Sequence, residues 1–337
     1  VVVTPKYLVK EYNVKGHRHH EVLYSKYSHS FLIGFFVSLG LGLWAAFKLF
    51  LALFRPKMSP AISDAFAYMH IDGELQIENK SPDDIENGLQ IGFTVEEMAT
   101  RVENLLRSIG MVSRFTPIVY VVAHGSSSAN NPHHGAHDCG ACSGRPGATN
   151  ARVFAFMANH PKVRAILAQK GLVIPDSTQF VGAMHDTAAD MMGYYDEKIL
   201  TADNQQRHRE NKELFERALD LNAKERSRRF ASINTNADLR TIREAIRKRS
   251  VSFFEPRPEL GHGTNALCFV GNRNLTKGLF LDRRAFMNSY DYRTDPTGAI
   301  LLNVMKPLPP VCGGINLEYY FSRVDNYKMG AGTKLPH

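Results

Sequence analysis

One run fixes what the rest of the chain must accommodate: Ile118-Val119-Tyr120-Val121-Val122, apolar and β-branched, followed at once by a loop of Gly, Ser, Asn and Pro. Such a run, bounded by a turn-rich segment, reads as a buried strand. The loop, residues 123–142, opens on His124 and carries His133, His134, His137, Asp138, Cys139 and Cys142. Imidazole and thiolate at a strand end are what zinc most readily binds. His124 and Cys139 can be brought together by a chain of Gly, Asn and Pro folding back on itself. Cys139-Gly-Ala-Cys142 could also act as a zinc knuckle, but a structural knuckle wants a second pair, and Cys268 and Cys312 read as isolated. His133, His134 and His137 read as exposed loop residues. A Cys139–His124 nucleophilic pair has no orienting group in view and ranks below metal binding.

The segments around the run predict its setting. Thr94-Val95-Glu96-Glu97 is a capping box. Val95, Met98, Ala99, Val102, Leu105, Leu106 and Ile109 follow at helical spacing, with Gly110 placed to close the helix. A helix is predicted near Asn150 and a short one from Pro161 to Lys170. Gln179–Met184 reads as a second strand, ending in His185-Asp186-Thr187. Helix, strand, loop, helix, strand predicts parallel strands, and ligands of such sheets bind beyond the strands' carboxyl ends. His124 and the pair His185 and Asp186 are thereby placed on one edge. Residues 70–92 read as irregular and acidic. Ala266–Val270, Ile300–Val304 and Asn316–Phe321 read as strand candidates.

Composition narrows the function classes. The 337 residues have a mean hydropathy of −0.26, which argues against a polytopic membrane protein. Phe31–Phe54 is the most apolar stretch, near the roughly 20 residues needed to cross a bilayer. Lys48 and three glycines weaken it, and a helix buried in a large core or lying against a membrane partner is preferred to a span. The His-rich residues 1–30 read as solvated surface. The net charge is +8, of which residues 207–249 hold +6 through 13 Lys and Arg against 7 Asp and Glu. Interleaved acids and the lack of aromatic residues placed to stack on bases make this a solvated helical hairpin, not a nucleic-acid arm. Four cysteines do not make a disulfide framework, and the Cys139/Cys142 spacing suits a reducing compartment. The glycine-rich phosphate-binding patterns and the G-x-S-x-G elbow are absent. The first residue is Val1 and no terminal element is evident at His337, so both ends are expected to be cut.

The wording HGSSSANNPHHGAHDCGACSGRPGATNARVFA, with FVGAMHDT, RPELGHGTNA and INLEYYFSRVDN, resembles the DabA family of probable inorganic carbon transporter subunits through nearly all of the chain. The resemblance implies an α/β fold: a β-carbonic-anhydrase-like parallel or mixed sheet core with additional helical regions. It suggests a polar segment plus apolar docking helix over 1–57 and the core with the zinc half-site over 58–195. A basic helical insert over 196–252 and an α+β remainder of the core over 253–337 complete the division. The implied zinc site has two Cys, one His and one Asp, with His124 and Cys139 matching the His and the second Cys. The other half is a Cys-x-Asp-x-Arg motif that this sequence lacks and that lies upstream in the family. Two ligands hold zinc weakly, so the fragment alone is expected to be inactive.

For the whole protein the implied chemistry is hydration of CO2 to bicarbonate by zinc hydroxide, driven by cation flow through a DabB-like membrane subunit. The implied location is the cytoplasmic side of the cell inner membrane, as a peripheral protein against the membrane surface, with no nucleic-acid partner. His185 and Asp186 are then candidates for supporting the ligands or passing protons. Arg257 and Glu259 match family motif residues and read as a structural ion pair. The alternative is a non-catalytic zinc-binding scaffold subunit of a membrane complex.

Overall fold

The structure is a computed structural model that describes residues 74–126, 146–252, 255, 265–282 and 284–329, with short pieces at 7–8, 10–12, 34–36, 39–40, 42–43, 46–47 and 50. Its centre is a three-stranded sheet ordered β6-β7-β8, formed by β6 (Ile118–Gly125), β7 (Gln179–Asp186) and β8 (Met191–Tyr194). β6 and β7 run parallel, with Ile118 opposite Gln179 and Gly125 opposite Asp186; β8 returns antiparallel. A parallel pair needs a crossover. It passes through α2 (Ala148–Asn159) and α3 (Pro161–Gln169), the two helices expected there. The architecture is mixed α/β.

Each sheet face has its own helices, because side chains alternate along a strand. Val119, Val121 and Phe180 pack into a core with α1 (Val95–Ser108), α2 and α3, including Met98, Val102, Leu106, Val163 and Leu167. The capping box of α1 is formed: Glu97 N donates to Thr94 Oγ1 at 3.2 Å and Thr94 N to Glu97 Oε2 at 3.1 Å. The α2 backbone presses against the sheet at Gly182, where a Cβ would lie 2.7 Å from the Arg152 Cα. The opposite face buries Ile118, Val181 and Ala183 with Tyr194, Leu200 and the ring of Phe215.

Phe215 belongs to α4 (Ala202–Ser227), which pairs with α5 (Leu239–Ser250) as the expected helical hairpin. Much of its basic charge is internally matched. Arg243 reaches Glu216 at 2.5 Å and Asp220 at 3.1 Å, and Arg249 reaches Glu255 at 3.1 Å over the ring of Phe230.

Before α1 lie short strands, not the irregular chain expected of residues 70–92: β3 (Glu74–Gln76), β4 (Ile85–Glu86) and β5 (Leu89–Ile91). β3 pairs with β2 (Lys10–Tyr12) and β5 with β1 (Tyr7–Leu8). Gly92, at φ 66°, lets Phe93 N reach Ile77 O at 2.6 Å; a Cβ there would overlap that carbonyl.

After the hairpin, β9 (Leu267–Gly271) appears where a strand was expected and pairs in parallel with β10 (Ala285–Ser289). The other two strand candidates are helices: α6 (Ala299–Met305) covers Ile300–Val304, and α7 (Ile315–Val324) covers Asn316–Phe321. Short apolar runs do not distinguish strand from helix. Here Asp295 decides the first, since its carboxylate accepts from Ile300 N at 3.1 Å and Leu301 N at 2.9 Å at the helix start. α7 follows directly from a π-helical segment, Pro309–Gly314, and α8 (Asn326–Met329) ends the described chain.

Of the Phe31–Phe54 stretch, the described residues are helical, and Phe35, Phe36, Leu39, Leu43, Phe47 and Phe50 are exposed. Its remaining residues lie outside the described ones, as do Arg257 and Glu259. Among the described residues no helix is long and apolar enough to cross a membrane.

Candidate functional site

The carboxyl ends of β6 and β7 bring His124 and His185 into register as direct neighbours. Paired residues of parallel strands project to the same face, and that face is the one packed by α4 through Ile118, Val181 and Phe215. The chain then leaves β6 and returns to it, because Gly147 N donates to the His124 carbonyl at 2.8 Å. Thr187 fastens the neighbouring strand end, donating from N (2.8 Å) and from Oγ1 (3.1 Å) to Gly125 O. Cys139 lies outside the described residues, as do Cys142, His133, His134, His137 and Asp138.

Asp186 holds the turn that follows. One residue on from His185, it belongs to the other face, and its buried Oδ1 accepts from Ala188 N at 3.0 Å and Ala189 N at 3.2 Å. The carboxylate thus shapes the turn into β8. The acid that meets His185 is Asp190, fully buried and at φ 50°. Its Oδ1 lies 3.3 Å from His185 Nε2 and accepts from Asn222 Nδ2 at 2.7 Å, while Oδ2 accepts from Arg226 Nη1 at 2.6 Å. Arg226, itself buried, also donates to the Thr187 and Ala188 carbonyls at 2.6 and 3.1 Å. Burial alone would raise the Asp190 carboxyl, but the bonds and charges of His185, Arg226 and Asn222 outweigh it and hold the group below the usual carboxylate range.

Asp190, Asn222 and Arg226 are absent from any motif in the sequence. A signal did exist: Leu219, Asn222, Ala223 and Arg226 repeat at i, i+3, i+4 and i+7, so an arginine stands on a buried stripe of an otherwise solvated helix.

The same sheet face carries a second polar cluster toward the opposite end of β6. Tyr120 OH lies 2.7 Å from His208 Nδ1, and His208 Nε2 lies 2.6 Å from Glu197 Oε1, which also accepts from Lys212 Nζ at 2.7 Å. Burial raises the Tyr120 hydroxyl above its ordinary range. Beside it runs an open groove of 660 Å³, bordered by Thr116, Ile118, Tyr120, Leu214 and Phe215. Farther along the chain, Cys268 and Cys312, isolated in sequence, lie with their sulfurs 3.3 Å apart.

Among the described residues no three His, Cys, Asp or Glu side chains are grouped to hold a metal ion. His124 is the one residue of the expected zinc pair that lies among the described residues.

No solved structure matches this chain. Its relatives include a protein of Azotobacter vinelandii (strain DJ / ATCC BAA-1303), 57% identical over 335 residues, and one of Nitrosospira multiformis (strain ATCC 25196 / NCIMB 11849 / C 71), 53% identical over 338 residues. Both are named "Probable inorganic carbon transporter subunit DabA", and in each case 99% of this chain is covered. The chain spans 40% of the first relative's length and 37% of the second's. A relative of the same name from Parafrankia sp. (strain EAN1pec) is 49% identical over 74% of the chain and 23% of its own length. The family model described as "DabA: Probable inorganic carbon transporter subunit DabA" matches residues 1–337, and the chain belongs to that family.

Proposed function

We propose that this chain is the His124-bearing portion of an inorganic carbon uptake subunit, in which His124 and Cys139 are two of four zinc ligands on a β-carbonic-anhydrase-like core. The observation that carries the reading is the bond from Gly147 N to His124 O at 2.8 Å. It brings the two described ends of the segment that carries Cys139 together at the same histidine. The relatives' names support the carbon-uptake role.

The donor set fits zinc as half a site; the other half is expected from a Cys-x-Asp-x-Arg segment that this sequence does not contain. When bound, zinc would supply a Lewis acid able to acidify water toward neutral pH for the hydration of CO2. The chain's own residues set the stage for that chemistry. β6 fixes the direction of His124. His185, held through Nε2 by Asp190, stands beside it as the group that supports the ligand or passes a proton. Asp186 acts less directly, by holding the turn that carries Asp190.

In the whole protein, a DabB-like membrane subunit would couple cation flow to net hydration. This chain would sit peripherally on the cytoplasmic side of the inner membrane, docked through the apolar 31–54 stretch. The word "subunit" in the relatives' names and the exposed Phe35, Phe36, Leu39 and Leu43 support that placement.

The test uses the full-length protein with its membrane partner. One zinc per chain is expected, lost together with carbon uptake in His124→Ala and in Cys139→Ala. Uptake that persists in a preparation without zinc would sink the mechanism. Zinc that binds through these residues while His124→Ala leaves uptake intact would make the site a scaffold.

A further inference from the structure

Cys268 and Cys312 stand 44 positions apart in sequence, yet their sulfurs are 3.3 Å apart and both are free thiols. A disulfide is about 2.04 Å long, so closure asks for a movement of roughly 1.3 Å. The two segments are tied a second time, by Asn316 Nδ2 donating to Asn265 O, so the approach does not hang on the sulfurs alone. Unpaired cysteine is among the most buried residue types, but Cys268 on β9 is exposed and Cys312 on the Pro309–Gly314 segment is partly so. A third donor to make a metal clamp is missing among the described residues.

We propose that Cys268 and Cys312 are a redox-active dithiol that closes to a disulfide by exchange with a low-molecular-weight disulfide such as oxidised glutathione. The exposed Cys268, as thiolate, attacks one sulfur of the small disulfide; that S–S bond breaks and one small thiolate leaves. Cys312 then gives up its proton, and its sulfur attacks Cys268 Sγ in the mixed disulfide, expelling the second small thiolate. The protein loses two protons and two electrons, and the small disulfide becomes two thiols. Burial and the neighbouring Cys268 push the Cys312 thiol up to about 11, so it rests protonated while Cys268 meets the reagent. Closure would fasten the turn ahead of α7 to β9.

The experiment equilibrates the full-length wild-type protein with glutathione buffers of graded ratio, quenches in acid, alkylates, digests and reads the peptides by mass spectrometry. The expected product is a Cys268–Cys312 linked peptide, two hydrogens lighter than its parts, that disappears on adding dithiothreitol. In Cys268→Ser and Cys312→Ser the link is lost and the remaining cysteine keeps a glutathione adduct. The proposal is overturned if both cysteines stay alkylatable at every ratio, if each carries its own adduct, or if either links to Cys139 or Cys142. The wild-type measurement decides the matter even if a variant misfolds.

Discussion

Asp190 has no exposed surface and meets His185, Asn222 and Arg226 through its carboxylate, while its own carbonyl accepts from Arg243 Nη2 at 3.0 Å. Removing one partner of a buried ion pair strands the other charge. Asp190→Ala should therefore cost about 3–5 kcal/mol, read by urea denaturation. Its carboxyl sits below the ordinary range in the folded state. The stability this confers is present above the unfolded value of about 4 and is lost as pH falls through the lower folded value. The gap in stability between wild type and Asp190→Asn should accordingly be widest near neutral pH and shrink on acidification; a gap that widens in acid would contradict the assignment. Gly182→Ala drives a Cβ to 2.7 Å from the Arg152 Cα, and overpacking of that kind costs about 1–3 kcal/mol. The sequence made His124 legible because a lone imidazole closed an apolar strand. It hid Asp190 and marked Arg226 only by its place on the stripe of Leu219 and Ala223, because whether a charge is buried depends on what packs over it. For the same reason Cys268 and Cys312 read as isolated: their meeting is set by two segments that share no pattern.

Among the elements, α1 was written most plainly, since its start signal and its apolar stripe agree. Thr94→Ala should cost about 1 kcal/mol in thermal or chemical unfolding, through loss of the bond to Glu97 N at 3.2 Å. β6 and β7 were equally legible as β-branched or apolar runs, each ending at a histidine. The runs at 300–304 and 316–321 misled because five or six apolar residues fit either periodicity. The outcome turned on Asp295, which supplies a carboxylate to the first turn of α6 from outside the run. If the Cys268–Cys312 bond forms, it closes a loop of 44 residues, which chain-entropy reasoning values at roughly 4 kcal/mol for the oxidised form. The oxidised protein should then resist denaturant better than the reduced one, and Cys312→Ser should erase the difference.

At the scale of the molecule, one sheet is shared by two sets of helices, and the two faces have different duties. The α1–α3 side is an apolar core around Met98, Val102, Leu106 and Leu167. The α4 side buries polar side chains, with Asp190 and Arg226 at one end and His208 with Tyr120 at the other. His124 and His185 belong to this second face. The sequence conveyed the layering through its order of elements, but it could not convey this division, because both faces read as apolar strand. On the proposed reading of His124 as a zinc ligand, zinc content of the full-length protein should fall to near zero in His124→Ala. The bond between Gly147 N and His124 O has a further consequence for how such a protein can vary over time. Because that bond and the ladder to β7 hold the strand end from described residues on both sides, sequence change between Ser126 and Pro146 need not move the backbone that carries the imidazole.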